Sequence, residues 1–384
     1  MRSKIPSPIR ILIIEPSGNL YGSELYMFDL LRELDKTRFS VKVVLPHGAP
    51  LAKELEGAGI EYRSLLAPAS LSGDRKSRYI AYLKLFTELV REHPDLVYVN
   101  QAGILRSVAG MAKLVGVPIA CNVTTIEDAA WVSRFPWALR QVRAFVCPSL
   151  FVRSVLKAED DRTSVIYRGY RHRGIKNPSP RPRGETFVAG IIGRVCEQKG
   201  HLFLLDIAEQ LARQREPVRI IFIGDATRDD ERDLIRTQIR SRGLESVVDW
   251  RGYRPDIGKE LAELDLLLMP FRGDTFGKTL SEAAEAGVPV LLADSGGPGE
   301  LSRHFNIGVR HTLGDTADFL MKFRDIRQDY NRVRADFVAG AQRLLEGLAV
   351  APWARCMEEV FERAVAEERV STTWRGTQCG GSRV

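Results

Sequence analysis

Phe271-Arg-Gly-Asp-Thr-Phe-Gly-Lys-Thr-Leu-Ser-Glu-Ala-Ala-Glu-Ala-Gly-Val-Pro-Val290 reads, in immediate succession, as a loop, a helix start, a short helix and a buried strand. Its chemistry sits at the helix start. Asp274 and Glu282 are eight positions apart, and Gly277 lets the backbone come close to a ligand. The N–H groups around Lys278, Thr279 and Leu280 have no intrahelical partner at a helix start and suit an anion. The pattern predicts a phosphate cradle with a carboxylate behind it. The plainer reading of the same residues is a loop and helix packed on a parallel strand, with Asp274 as N-cap and Glu282 as a solvated helix residue.

Outward from this stretch, the 384-residue chain is too long for one ordinary core and suits two α/β domains. With 44% apolar and 27% charged residues it has the composition of a soluble globular protein. No long apolar run predicts a membrane span, and Met1-Arg-Ser-Lys-Ile-Pro6 lacks the apolar core of a signal peptide, so a cytoplasmic location is expected. Five scattered cysteines (Cys121, Cys147, Cys196, Cys356, Cys379) lack metal-site spacing and predict reduced thiols, with no disulfide and no structural metal. Among the six histidines no ligand pattern appears; His47, His201 and His311 read as loop or helix-start residues.

The net charge of +7 is uneven. Residues 1–180 carry 26 Lys/Arg against 17 Asp/Glu, the remainder 30 against 32. Such a basic half, with Arg75, Lys76, Arg78, Arg140 and Arg143, suits peripheral contact with an anionic membrane at its inner face or an anionic acceptor, and equally a solvated basic surface. No helix-turn-helix, zinc or RNA-binding signature accompanies the charge, so nucleic acid is not an expected partner.

Short apolar runs alternate with helical periodicity. In the first half strands are predicted at Arg10–Ile14, Val41–Leu45, Leu96–Asn100, Ile119–Val123 and Phe145–Pro148. Helices are predicted between them at Leu25–Leu34, Ala49–Ala58, Arg78–Glu92 and Ile104–Val115. An Arg-, Gly- and Pro-rich stretch at 171–186 reads as a linker. The pattern then restarts with strands at Phe187–Ile192, Arg219–Ile223, Val247–Trp250, Leu266–Met269 and Val288–Leu292 and a helix ending near Gln214. The expected architecture is α/β, two Rossmann-like doubly wound domains at 1–170 and 187–350, facing across a cleft that takes the ligand at the carboxyl ends of the strands. The Gly-, Ser- and Thr-rich residues 371–384 read as a flexible tail.

Glu282-Ala-Ala-Glu-Ala-Gly-Val-Pro-Val290 and Gly296-Gly-Pro-Gly-Glu300 resemble the signature of the retaining GT-B glycosyltransferases of family 4, "glycosyl transferases group 1". That signature runs Glu-x7-Glu, continues as Glu-Ala-x-Ala-x-Gly-x-Pro-Val and is followed by Gly-Gly-x-x-Glu. Its first acid is Asp274 here, one methylene shorter, which shortens the reach of that acid. Gly193-Arg-x4-Lys-Gly200 resembles the family's diphosphate-binding segment. The resemblance implies that Arg194 and Lys199 stabilise the departing diphosphate and that Asp274 faces the transferred sugar. It also implies that Glu282 binds the ribose, with Phe276, Gly277, Lys278, Thr279 and Leu280 lining diphosphate and sugar.

In the first domain Gly22-Ser23-Glu24 is similar to the family's Gly-Gly-x-Glu turn, with Tyr21 in place of one glycine, and implies that Gly22 and Ser23 approach the donor phosphate. Gly18 and Gly22 do not make the dinucleotide fingerprint, which argues against NAD. The family's acceptor-side His is absent; Thr124, Thr125 and Glu127 occupy that stretch, as acceptor contacts or as a plain loop. Residues 351–370 resemble the closing helix that returns to the first domain.

The implied activity is transfer of a hexose from a nucleotide diphosphate sugar, a UDP- or GDP-sugar, to a glycan, lipid-linked or small-molecule acceptor, as in polysaccharide biosynthesis, with no bound cofactor and no required metal. The alternatives on the same architecture are a sugar-nucleotide epimerase, a glycan phosphorylase, or a catalytically silent nucleotide-sugar binder.

Overall fold

The computed structural model describes residues 7–66, 75–175, 186–226 and 228–366. Most of the expected linker, the whole tail 371–384, Cys379 and the side chains of Arg75 and Arg78 lie outside the described residues. The chain divides into two compact units, Met1–Arg171 with Leu348–Val384, and His172–Gly347.

The first unit holds β1 (Ile9–Ile14), α1 (Gly22–Glu33), β2 (Phe39–Pro46), α2 (Leu51–Gly57), β3 (Glu61–Leu66), α3 (Arg75–Glu92), β4 (Leu96–Val99), α4 (Leu105–Val115), β5 (Ile119–Asn122), α5 (Ile126–Val132), α6 (Pro136–Leu139), β6 (Val142–Cys147), α7 (Leu150–Val155) and β7 (Thr163–Val165). Its seven strands are ordered β3-β2-β1-β4-β5-β6-β7. All pairings are parallel, with Ile11 opposite both Val41 and Leu96. The central strands are apolar without alternation because helices cover both faces; Ile11 to Ile14 are each at most 2% exposed.

The second unit holds β8 (Phe187–Ile192), α8 (His201–Arg213), β9 (Val218–Ile223), α9 (Asp229–Ser241), β10 (Val248–Gly252), α10 (Ile257–Ala262), β11 (Leu266–Met269), α11 (Lys278–Ala286), β12 (Val290–Ala293), α12 (Gly296–Phe305), β13 (Val309–His311), α13 (Thr316–Gln328) and α14 (Tyr330–Gly347). Its six strands are ordered β10-β9-β8-β11-β12-β13, again parallel, with Leu266 of β11 opposite Ala189 of β8.

The last helix, α15 (Val350–Val365), packs in the first unit. Its apolar stripe explains this. Trp353, Met357, Val360, Phe361 and Ala364 are buried, and Phe361 meets Phe39 and Tyr98 edge-on at centroid distances of 6.2 and 5.2 Å. Glu358 accepts a hydrogen bond from the Asp35 backbone N–H at 2.9 Å and pairs with Arg38 at 2.7 Å.

The elements that the sequence reading does not name include the long helices α9, α13 and α14 of the second unit and several short ones. β7 and β13 have three residues each, too few to show a pattern, and β3 is half-exposed. Among the described cysteines, Cys121, Cys147 and Cys196 are free thiols. Burial pushes the Cys147 thiol up to about 12 and raises that of Cys121, so both stay protonated.

Candidate donor site

In an open parallel sheet, ligands bind outside the carboxyl ends of the strands where the strand order reverses. In the second unit that point lies between β8 and β11, and the loops leaving these two strands carry Arg194, Lys199 and Asp274. The loops are tied together. The backbone N–H of Arg272 donates to Gln198 O at 2.8 Å, and Lys199 Nζ donates to Asp274 Oδ2 at 2.8 Å while standing 3.9 Å from the centroid of the Phe271 ring. Asp274 Oδ1 accepts the N–H of Thr275 at 2.8 Å. The pair is half-buried, and its consequence for the site is the direction in which the ammonium points. Arg194 is exposed and has no hydrogen-bond or ion-pair partner among the described residues.

The loop 274–277 has its shape because the glycines of α12 let it come close. The Gly297 N–H donates to Asp274 O at 2.8 Å, and a Cβ at Gly297 would lie 2.3 Å from Thr275 O. Gly277 caps α11 at φ 104°, a left-handed conformation, with its Cα facing Pro298. The Gly-Gly-Pro-Gly run is therefore the floor of the acidic loop. Of the three amides expected to be free at the start of α11, that of Leu280 donates to Gly277 O at 2.9 Å. Those of Lys278 and Thr279 have no partner among the described residues. Phe276 and Leu280 are 3% and 0% exposed, so they hold the loop through their side chains and can face a ligand only with backbone.

Glu282 is not a solvated helix residue; its side chain is 7% exposed, on the face of α11 that carries Lys278. Lys278 Nζ at 3.4 Å and Arg173 Nε at 3.9 Å make their nearest approach to Glu282 at Oε1, and neither oxygen accepts a hydrogen bond from the described residues.

The corresponding point of the first unit, between β1 and β4, is built from carboxylates. Glu15, at the end of β1 and fully buried, accepts from the N–H groups of Ser17 and Gly18 at 2.8 and 3.2 Å, from Asn100 Nδ2 at 2.6 Å and from Gln101 Nε2 at 2.9 Å. Burial raises its pKa above the ordinary carboxylate value, which the hydrogen bonds from Asn100 and the turn oppose and the charge of Glu24 reinforces. Glu24, 2% exposed, accepts from Ser17 and Ser23 and shares Gln101 Nε2 at 3.2 Å. Gly22 opens α1 with nothing within 4 Å of a Cβ built on it, and the Ser23 hydroxyl turns back to Glu24 at 2.7 Å.

Residues 21–172 match the family profile "Glycosyltransferase Family 4" and residues 186–329 match "Glycosyl transferases group 1", well over half of the chain between them. The chain belongs to this glycosyltransferase family. The enzyme is 25% identical over 407 aligned positions to the 2-deoxystreptamine N-acetyl-D-glucosaminyltransferase of Streptomyces fradiae, covering 94% of this chain and 92% of that one. A protein of the same name from Niallia circulans is 27% identical over 33% of this chain and 32% of its own length. In fold, the glycosyltransferase is similar to Anabaena HepE in complex with UDP and glucose, with a TM-score of 0.77, 22% identity and coverage of 92% of this chain and 99% of that one. The two sheets and this likeness establish the GT-B architecture.

In this glycosyltransferase the second unit joins Lys199 to Asp274, and Glu282 lies further along α11, one helical turn from Lys278. Thr124 and Thr125 serve the loop: Thr124 Oγ1 donates to Asp128 at 2.8 Å, and Thr125 caps α5 by accepting the Asp128 N–H. Glu127 lies in the first turn of that helix, where a carboxylate suits the helix dipole. His201 opens α8 and is buried edge-on against Phe222, His311 ends β13 and is buried, and His47 is an exposed turn residue. Among the described residues no group of His, Cys, Asp or Glu could hold a metal ion, and no helix is long and apolar enough to cross a membrane.

The sequence reading missed Glu15, Arg173 and Glu285. A carboxylate closing an apolar strand, Ile11 to Glu15, was a signal for the first. For Glu285 the signal was a mismatch, since the family signature has Ala at that position. Nothing in the local pattern marks Arg173.

Proposed function

We propose that this enzyme transfers a hexose, with retention of anomeric configuration, from a nucleotide diphosphate sugar to the hydroxyl of a glycan, lipid-linked or small-molecule acceptor. The observation that carries the reading is the Lys199–Asp274 pair beside the unpaired Arg194 at the strand-order reversal of the second unit. A diphosphate gains charge as the bond from the anomeric carbon to its oxygen breaks, and fixed cations with oriented N–H donors meet that charge at low reorganisation cost. Arg194 and Lys199 supply the charge, and Lys278 and Thr279 supply the amides. Glu282 Oε2 accepts from the ribose, and Asp274 aims Lys199 and borders the sugar. As the acceptor oxygen bonds to the anomeric carbon, its proton passes to the departing diphosphate. UDP is the first nucleotide to test, because the structurally similar Anabaena HepE was solved with UDP and glucose.

The test is a thermal-shift series with UDP, GDP and their sugars, followed by nucleotide release on addition of candidate acceptors and determination of the product's anomeric configuration by NMR. A bound diphosphate raises the melting temperature in proportion to the logarithm of its concentration over Kd. No shift with any nucleotide diphosphate would remove the reading, and an inverted product would remove retention.

A further inference from the structure

The segment His172–Ile175, which opens the second unit, is fastened to α11 by a carboxylate that no part of the proposed chemistry uses. Glu285, its side chain 7% exposed, accepts from the backbone N–H of Arg173 at 3.0 and 3.1 Å and from that of Ile175 at 3.1 Å, with His172 Nδ1 at 3.6 Å. Gly174, at φ 70°, makes the turn between the two anchored amides. Ile175 then packs toward α10, where a Cβ on Gly258 would lie 3.5 Å from its Cγ2. These anchors fix the backbone on both sides of Arg173, which limits where its guanidinium can reach.

It reaches Glu282. Glu285 and Glu282 are three positions apart on one face of α11, so the segment lies across two nearly buried carboxylates of like charge. The backbone amides satisfy one, and the guanidinium faces the other. Lys278 and Arg173 each make their nearest approach to Glu282 at the same oxygen, Oε1, and neither carboxylate oxygen accepts a hydrogen bond from the described residues. Lys278 belongs to the same helix and moves with it; Arg173 is the contact that comes from outside.

We propose that Arg173 is a positioning residue of the donor site, held in place by the grip of Glu285 on the 173–175 backbone, and that it turns Glu282 so that Oε2 faces the ribose hydroxyls of the donor nucleotide. The inference rests on the assignment of Glu282 to the ribose. It deepens that assignment by adding two residues and a direction of action: nucleotide recognition through the ribose, not charge stabilisation at the leaving phosphate.

The experiment is calorimetric titration with UDP and GDP and with their 2′- and 3′-deoxy forms, for the wild-type protein, Arg173→Ala, Arg173→Lys, Glu282→Ala, Glu285→Ala, Glu285→Gln and the double variant Arg173→Ala/Glu282→Ala. Arg173→Ala is expected to weaken binding of the preferred nucleotide about 3- to 10-fold, the scale of one oriented charge-assisted hydrogen bond. The preference for ribose over deoxyribose narrows with it, Arg173→Lys recovers part of the loss, and KM for the donor rises more than kcat falls. The double variant should bind no more weakly than Glu282→Ala, because both changes act on one interaction. Glu285→Ala is expected to reproduce Arg173→Ala, and Glu285→Gln, whose amide oxygen still accepts from the two amides, to stay closer to wild type. If Glu285→Ala does not fold, as its melting curve will show, Arg173→Ala and Glu285→Gln carry the test. Unchanged affinity and unchanged ribose preference in Arg173→Ala, or losses that add in the double variant, overturn the proposal while leaving the donor site in place. A wild-type protein that binds no nucleotide diphosphate overturns the donor-site reading and this inference together.

Discussion

The two units share a strand order and differ in what they place where it reverses. In the first, Glu15 and Glu24 are buried and their oxygens are taken up by Ser17, Ser23, Gly18, Asn100 and Gln101, so the polar groups satisfy one another. In the second, Arg194 stands unpaired, Lys199 is aimed by a single carboxylate, and the amides of Lys278 and Thr279 are open. One fold thus gives a saturated acidic junction that fixes a turn and an unsaturated cationic one with binding capacity left over. Fold alone does not assign chemistry; the side chains at the strand ends do.

The comparison makes its largest prediction for the cations. Lys199→Ala and Arg194→Ala are each expected to lower kcat/KM by about 10²- to 10³-fold, since both charges would act mainly as the diphosphate departs. The melting temperature of Arg194→Ala should stay near that of wild type, because its side chain is exposed, and that of Lys199→Ala should show whether the half-buried pair with Asp274 also holds the loop. Steady-state kinetics with the preferred donor decide this, and wild-type kcat/KM in both variants would remove the second junction from the chemistry.

Next in size is Glu282→Ala, expected to weaken nucleotide binding roughly 10- to 100-fold through lost ribose hydrogen bonds. Calorimetry returning wild-type affinity would reassign the carboxylate to the packing of α11.

The two junctions should also answer pH with opposite signs. Burial pushes the pKa of His201, at the second junction, down to about 4 from 6.5. The unfolded chain then binds the proton first, so this group costs the fold stability as pH falls from about 6.5 toward 4, on the order of 3 kcal/mol by the lower end. Glu15 works the other way: with its folded pKa raised, the native state holds the proton longer. Its contribution is most favourable below the unfolded carboxylate value and is lost as pH rises through the raised one. Melting temperatures of His201→Leu and Glu15→Gln between pH 4 and 7 are the measurement. The first variant should flatten the low-pH loss, and the second should remove a decline with rising pH; slopes unchanged in both would break the contrast.

The smallest expected effect is none. Chelation with EDTA should leave turnover unchanged if Arg194 and Lys199 meet the diphosphate charge unaided. Loss of activity restored by magnesium or manganese would show that the second junction needs a metal as well.

Much of the architecture was legible because it rests on short-range patterning. Ile11 to Ile14, Phe187 to Ile192 and Leu266 to Met269 are apolar runs that only a strand covered on both faces accommodates, and the helices between them keep a buried stripe. Gly277 was legible as a place of permissive backbone, whereas the closure of the 274–276 loop over Gly296 and Gly297 emerged only from the structure. The site was legible only in part. Phe276 and Leu280 lie in the motif but face the core, and the Leu280 amide is occupied by Gly277.

The sequence by itself therefore determined the two doubly wound sheets and the loop that carries Asp274, because periodicity and backbone permissiveness are local properties, and the family resemblance marked the residues of the candidate donor junction. Only the tertiary structure decided which polar groups meet. Glu15 faces Asn100 and Gln101 across 85 and 86 positions, and Lys199 faces Asp274 across 75. Glu285 takes up the amides of Arg173 and Ile175 across more than a hundred. Those partners are set by strand order and loop closure, and whether a charge is spent on a neighbour or left for a ligand depends on them.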